Sequence, residues 1–133
     1  IMPSLVGSEM CIRDRNTTGV LAGGRSNPDM VRDPLLRAHI EACMNEVMDA
    51  APPIFGCPLP FASPERILQS TERNTSSSKS SMVQDWEAGR ALELDAILGN
   101  AIRIAVAHGA PMPRLQSMYA LLHSAVAMRD AAT

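Results

Sequence analysis

Few residues in this 133-residue sequence are of a type and in a place to do chemistry. Glu93 stands in the stretch ALELDAILGN, beside the apolar residues Leu94, Ile97 and Leu98. A carboxylate next to a core is costly unless it is solvated, caps something or does chemistry. Ser81 opens Ser81-Met82-Val83-Gln84, which has the form of a capping box. Its hydroxyl would then sit beside unpaired N–H groups at a helix N-terminus, a natural place for a substrate carboxylate, although a plain cap has the same geometry. His39, His108 and His123 share no metal-ligand spacing and read as surface or boundary residues, so no metal is assigned. Lys79, the only lysine, lies in the serine-rich NTSSSKSS, and GVLAGG lacks the spacing of a dinucleotide-binding GxGxxG.

The elements that position these residues are expected to be helices. Ala, Leu, Ile, Val and nine Met supply the apolar content while aromatics are only 3%, a mixture that suits helices better than sheets. Asp33 followed by Pro34 reads as an N-cap and first helical residue; Leu36, Ile40, Cys43, Met44 and Val47 then recur at helical spacing until Pro52-Pro53 stops the run. PPIFGCPLP is a connector, Ser63-Pro64 starts a short helix carrying Ile67 and Leu68, and NTSSSKSS is a link. A helix from Ser81 is hinged at Gly89 to a second piece with Leu94, Ile97, Leu98, Ala101, Ile102 and Ala105 on one face, ending at His108-Gly109. Pro113 restarts a helix with the stripe Leu115, Met118, Tyr119, Leu122 and Val126. Trp86 reads as a packing anchor and the Met residues as core filler. Four longer helices, one or two short ones and no convincing alternating strand predict an all-α helical bundle.

Bulk properties exclude several roles. The length suits one domain, and a formal charge of -2 with scattered basic residues leaves no footprint for nucleic acid or an anionic membrane. No apolar run approaches the roughly 18 to 20 residues that span a bilayer. Cys11, Cys43 and Cys57 are odd in number and lack CxxC spacing, which argues against a secreted disulfide framework and for a reducing cytoplasm.

In order and without a gap, Ser80, Ser81, Met82, Gln84, Asp85, Gly89, Arg90, Glu93, Asp95 and Gly99 match a pattern SSM-x-QD-x-x-x-G-R-x-x-E-x-D-x-x-x-G. This series resembles the C-terminal domain of the ketopantoate reductase family, and a weaker resemblance runs from about Asn16 to Ala127, including the turn HGAPMP. The resemblance implies a 6-phosphogluconate dehydrogenase C-terminal-like helical bundle paired with an N-terminal Rossmann domain. It implies an NADPH-dependent reductase that converts 2-dehydropantoate, or a related 2-oxo acid, to pantoate on the route to coenzyme A. It further implies Glu93 in the catalytic network, Ser81 in contact with substrate, and Asn16 near a lysine that assists proton delivery. Asp95 and Gly99 match too, but a salt bridge or cap and a close helix contact explain them.

The sequence departs from that family in two places. Leu92 stands where the family commonly carries threonine, and Lys79 is a poor stand-in for the catalytic lysine. Residues 1–15 are expected to be a non-native, disordered leader, because Pro3–Arg15 lacks periodicity and resembles translated sequencing-adapter read-through. Residues 16–133 are then the helical domain, NADPH being bound mainly by an N-terminal domain missing from this chain and the fragment being inactive alone. The expected partners are a small 2-oxo acid and the chain's own Rossmann domain, with a homodimer open. The rival reading is a non-catalytic helical interaction or dimerisation module.

Overall fold

The computed structural model describes residues 15–56, 63–75 and 78–132, and every regular element among them is helical. In chain order these are α1 (15–21), α2 (Asn27–Arg32), α3 (Pro34–Phe55), α4 (Pro64–Arg73) and α5 (Ser81–Glu87). A π-helical turn (Asp95–Gly99) then runs directly into α6 (Asn100–Ala107), and α7 (Pro113–Ala131) ends the chain. The all-α expectation therefore holds. Residues 1–14 and Cys57 lie outside the described residues, as do the side chains of Phe55 and Ile97.

Local chemistry starts most of these helices where the sequence suggests. Asp33 takes an extended conformation, and its Oδ1 accepts the N–H groups of Leu35 at 2.9 Å and Leu36 at 3.3 Å, satisfying donors that the first turn of α3 cannot pair internally. Pro34 follows where a missing N–H costs nothing. Ser26 and Ser63 cap α2 and α4 in the same way. Arg25 also donates to Asp33 Oδ2 at 3.0 Å, and this ion pair together with the capping N–H groups holds the Asp33 carboxyl below its ordinary value of 3.8. A carboxylate depressed in the folded state contributes stability that is present above the unfolded value and lost as pH falls through the folded one. Asp33→Ala should therefore lower the melting temperature at pH 7, with the gap to the unmodified chain closing below about pH 3.8. Thermal melts across pH 2 to 7 check this; a gap independent of pH would mean that the cap's charge is irrelevant.

One boundary differs from expectation. Helix α3 does not stop at Pro52-Pro53 but runs through both to Phe55 and closes at Gly56, whose N–H bonds Pro52 O at 2.8 Å. Two prolines remove two helical hydrogen bonds, yet their fixed φ is itself helical. Ala50 and Ala51 just before them are buried, and Ile54 just after packs on the same core, so tertiary packing carries the last turn past the breakers.

Helix α3 is the spine of two cores. Its Cys43, Val47, Ala50 and Ala51 meet Val20 of α1, Met82 and Val83 of α5, Leu94, Leu98, Ile102 and Ala105, and Leu115, Met118 and Leu122 of α7. Its Ile40 and Met44 meet Met30, Val31 and Leu68 of α2 and α4. Leu94, Leu98, Ile102 and Ala105 of one expected stripe and Leu115, Met118 and Leu122 of the other thus face inward, and five methionines are buried in the core. Gly89 and Gly109 close α5 and α6 with φ of 74° and 72°. Each is followed by a residue whose N–H reaches back five positions: Arg90 to Asp85 O and Ala110 to Ala105 O, both at 2.8 Å. Nothing lies within 4 Å of a Cβ built on either glycine, so backbone conformation rather than space requires them.

Candidate functional site

Glu93 lies in a short irregular link between the Gly89 turn and the helix that opens at Leu94, not in a first helical turn as its sequence context suggests. It is exposed, and its carboxylate makes no hydrogen bond or ion pair with the described residues. A capping role is thereby removed. Glu93 lines an open groove of about 510 Å³ with Leu92, Asp95, His123, Val126 and Ala127. A π turn, a feature often found near functional sites, follows at once, the Asn100 N–H reaching five residues back to Asp95 O.

The link is held from both sides. Arg90 Nε meets Asp85 Oδ1 at 2.7 Å, bracing the Gly89 turn. From the far end of α7, Arg129 donates to Trp86 O at 3.3 Å and Arg90 O at 2.9 Å, with its guanidinium 4.7 Å from the Trp86 ring centroid. Trp86 is therefore an anchor as expected, but its partner was illegible: nothing in the sequence ties Arg129 to a turn about forty residues earlier. Asp85, Gly89 and Arg90 of the matched series thus set the path of the chain into Glu93.

Behind the groove, the Tyr119 hydroxyl donates to Asp95, and Arg103 Nη1 lies 3.8 Å from the same carboxylate. The hydrogen bond to Asp95 raises the Tyr119 phenol above its ordinary value. A Cβ on Gly99 would stand 3.1 Å from the Tyr119 ring and 2.8 Å from Asp95 Oδ1, so glycine is what lets α7 approach. The expected salt bridge at Asp95 and close contact at Gly99 are both present. The Tyr119 and His123 rings are 5.6 Å apart, which extends this group to the groove lining.

At Ser81 the expected cap moves by one residue. Ser80 is extended, and its Oγ accepts the Val83 N–H at 3.3 Å, leaving Ser81 as the first helical residue. The first bond within the helix runs from the Gln84 N–H to Ser80 O, so the Val83 N–H is one of the open donors of the first turn, and Ser80 satisfies it. Gln84 donates to Lys79 O at 2.8 Å instead of closing a capping box. The Ser81 side chain is exposed and has no hydrogen-bond partner among the described residues.

Asn16 is half-buried in α1. That helix rests on α5: Thr17 Oγ1 lies 3.9 Å from Met82 Sδ, and a Cβ on Gly19 would come within 3.0 Å of Val83 Cγ2. Asn16 and Ser81 therefore sit on touching helices, each beside a residue of that contact. No hydrogen bond or ion pair among the described residues joins either to Glu93. Arg15, placed by sequence in the leader, is helical and donates to Thr71 Oγ1 at 2.9 Å. Lys79 pairs with Glu87 at 2.6 Å, tying the serine-rich link to α5.

Sequence reasoning overlooked Glu46. From α3 its nearly buried carboxylate accepts the N–H of Arg114 at 2.7 Å and of Leu115 at 3.3 Å, capping α7 in place of Met112, which has no capping atom. His39, two turns earlier on the same helix, is held below its ordinary value first by burial and then by the nearby Arg114, partly offset by Glu46. Among the described residues no three His, Cys, Asp or Glu side chains converge as a metal site, and no helix is long and apolar enough to cross a membrane.

Comparison with known proteins converges on one family. The family described as ketopantoate reductase PanE/ApbA C terminal matches residues 15–126. Among solved structures, the chain is similar to a 2-dehydropantoate 2-reductase from Methylococcus capsulatus at 31% identity and a TM-score of 0.78, over 91% of this chain and 38% of that one. It shares its fold with a 2-dehydropantoate 2-reductase from Geobacter metallireducens GS-15, at 23% identity and a TM-score of 0.76, over 90% of this chain and 39% of that one. The same fold occurs in a dimeric ketopantoate reductase from Staphylococcus aureus, at 20% identity and a TM-score of 0.80, over 97% of this chain and 44% of that one. Comparison with curated proteins returned no match. The chain thus spans well under half the length of the reductases it resembles, and it belongs to the ketopantoate reductase family as that family's C-terminal domain.

Proposed function

We propose that this chain is the substrate-side domain of an NADPH-dependent reductase that converts 2-dehydropantoate, or a close 2-oxo acid, to pantoate on the route to coenzyme A. The observation that carries the reading is Glu93: an exposed carboxylate with no partner among the described residues, beside a groove and just after a braced turn, in register with the ten-residue series SSM-x-QD-x-x-x-G-R-x-x-E-x-D-x-x-x-G. Reduction of a keto carbon leaves charge on its oxygen, and an ammonium that polarises or protonates that oxygen lowers the barrier. Glu93 would orient that ammonium, while the free hydroxyl of Ser81 and the amide of Asn16 would contact substrate. NADPH supplies the hydride in such a reaction, but the described residues do not fit it: GVLAGG forms the end of α1 and its turn, with no strand before it. We assign the cofactor and the catalytic lysine to an N-terminal Rossmann domain and the enzyme to the cytoplasm. Exposed Leu35, Leu121 and Met128 offer apolar surface for that domain or for a second copy in a homodimer.

The test is NADPH oxidation in the presence of 2-dehydropantoate. The chain alone should oxidise none above a protein-free blank, and the chain fused behind the nucleotide-binding domain of the Methylococcus capsulatus reductase should oxidise it. A folded fusion that turns over neither 2-dehydropantoate nor other 2-oxo acids would favour the non-catalytic interaction module instead.

A further inference from the structure

Away from the Glu93 groove, three soft donors from two helices meet. His39 and Cys43 lie one turn apart on α3, and Met118 faces them from α7. His39 Nε2 is 3.2 Å from Met118 Sδ and 3.5 Å from Cys43 Sγ. Both sulfurs are buried, whereas the imidazole is half-exposed in a second groove of about 460 Å³ that also reaches Met118, Arg114 and Ser117. The cluster thus has a buried floor and an entrance.

We propose that His39, Cys43 and Met118 form a binding site for a soft monovalent cation, Cu⁺ in particular. Metal bonds of about 2.0 Å to nitrogen and 2.3 Å to sulfur place donors of one coordination sphere about 3 to 4 Å apart, and His39 Nε2 stands within that range of both sulfurs. The donor set selects the metal: thiolate and thioether sulfur favour Cu⁺, while carboxylate and water suit Mg²⁺ or Ca²⁺. Charge points the same way. One thiolate cancels one positive charge, so bound Cu⁺ leaves the site neutral; a divalent ion would leave a net charge at this buried site, near the Arg114 guanidinium that acts on His39. Binding exchanges the Cys43 thiol proton for the metal and releases it to solvent, with no change of oxidation state. Thr18 Oγ1 donates to Met118 Sδ at 3.4 Å, which orients the thioether and leaves its second lone pair for the metal. The bound ion would brace α3 against α7.

The test uses the full chain carrying Cys11→Ser and Cys57→Ser, which removes its two other thiols. Anaerobic titration with Cu⁺ against a coloured Cu⁺ chelator should show one ion withheld per chain. Adding Cys43→Ala should weaken binding by about 100-fold, and adding Met118→Leu by about 10-fold or more, since even supporting groups around a metal cost that much when lost. Met118→Leu conserves core volume, so weaker Cu⁺ binding with an unchanged melt of the metal-free protein separates ligation from folding. X-ray absorption of the loaded protein should report sulfur and nitrogen neighbours together. Failure of the two-serine chain to compete for Cu⁺, equal affinity in both further variants, or a shell without sulfur would overturn the site.

Discussion

Glu93→Gln in a full-length enzyme, with this domain joined to its nucleotide-binding domain, should lower kcat/KM by about 100-fold or more while leaving the melting temperature almost unchanged. The two halves of that expectation have separate causes. The carboxylate has no partner among the described residues and is exposed, so exchanging it for an amide of the same shape strands no buried donor and should move stability by about 0.5 kcal/mol or less. The turn that leads into it is held by Arg129 and Asp85, neither of which the substitution touches. What disappears is a negative charge able to orient an ammonium at the developing oxyanion, an interaction that strengthens toward the transition state. Steady-state kinetics and thermal melts on the same preparations check both halves. Turnover like that of the unmodified enzyme would remove Glu93 from the catalytic network, and parallel losses of turnover and melting temperature would make its role structural.

The largest effect on stability should come from Glu46. Glu46→Ala takes away both acceptors at the start of α7 and leaves the N–H groups of Arg114 and Leu115 in a largely dry setting, the latter bond being buried. Charge-assisted bonds of this kind are worth about 1.5 to 3 kcal/mol each, and an unsatisfied buried donor costs a similar amount. A net loss of about 3 kcal/mol, or on the order of 10 °C in melting temperature, is expected. Glu46→Gln should fall between, since its carbonyl oxygen can still accept one N–H while its NH₂ cannot. Urea unfolding of the three proteins measures this; a loss below about 0.5 kcal/mol for Glu46→Ala would mean that water replaces the carboxylate.

Both residues show what decided legibility here. Glu93 could be singled out because it belongs to a contiguous series whose spacing is visible in the chain, whereas its place in an irregular link could not, because that depends on where the Gly89 turn and the π turn leave the link. Glu46 could not be read at all. It sits mid-helix with no local pattern that marks it as a cap, and its partners are 68 and 69 residues away.

By itself the sequence determined what depends on a few neighbouring residues. Asp33-Pro34 and Ser63-Pro64 start helices because a side-chain acceptor and a preset φ act within one turn, Gly89 and Gly109 end them because only glycine takes that backbone cheaply, and apolar spacing marks the buried faces. Tertiary structure alone decided the rest. Buried Ala50 and Ala51 and half-buried Ile54 carried α3 through two prolines, and Ser80 rather than Ser81 became the cap of α5. The Arg129 clamp, the Glu46 cap and the meeting of His39, Cys43 and Met118 all join residues from different elements. Their energies come from groups brought within a few ångströms only when the helices pack, and no local pattern along the chain encodes that distance.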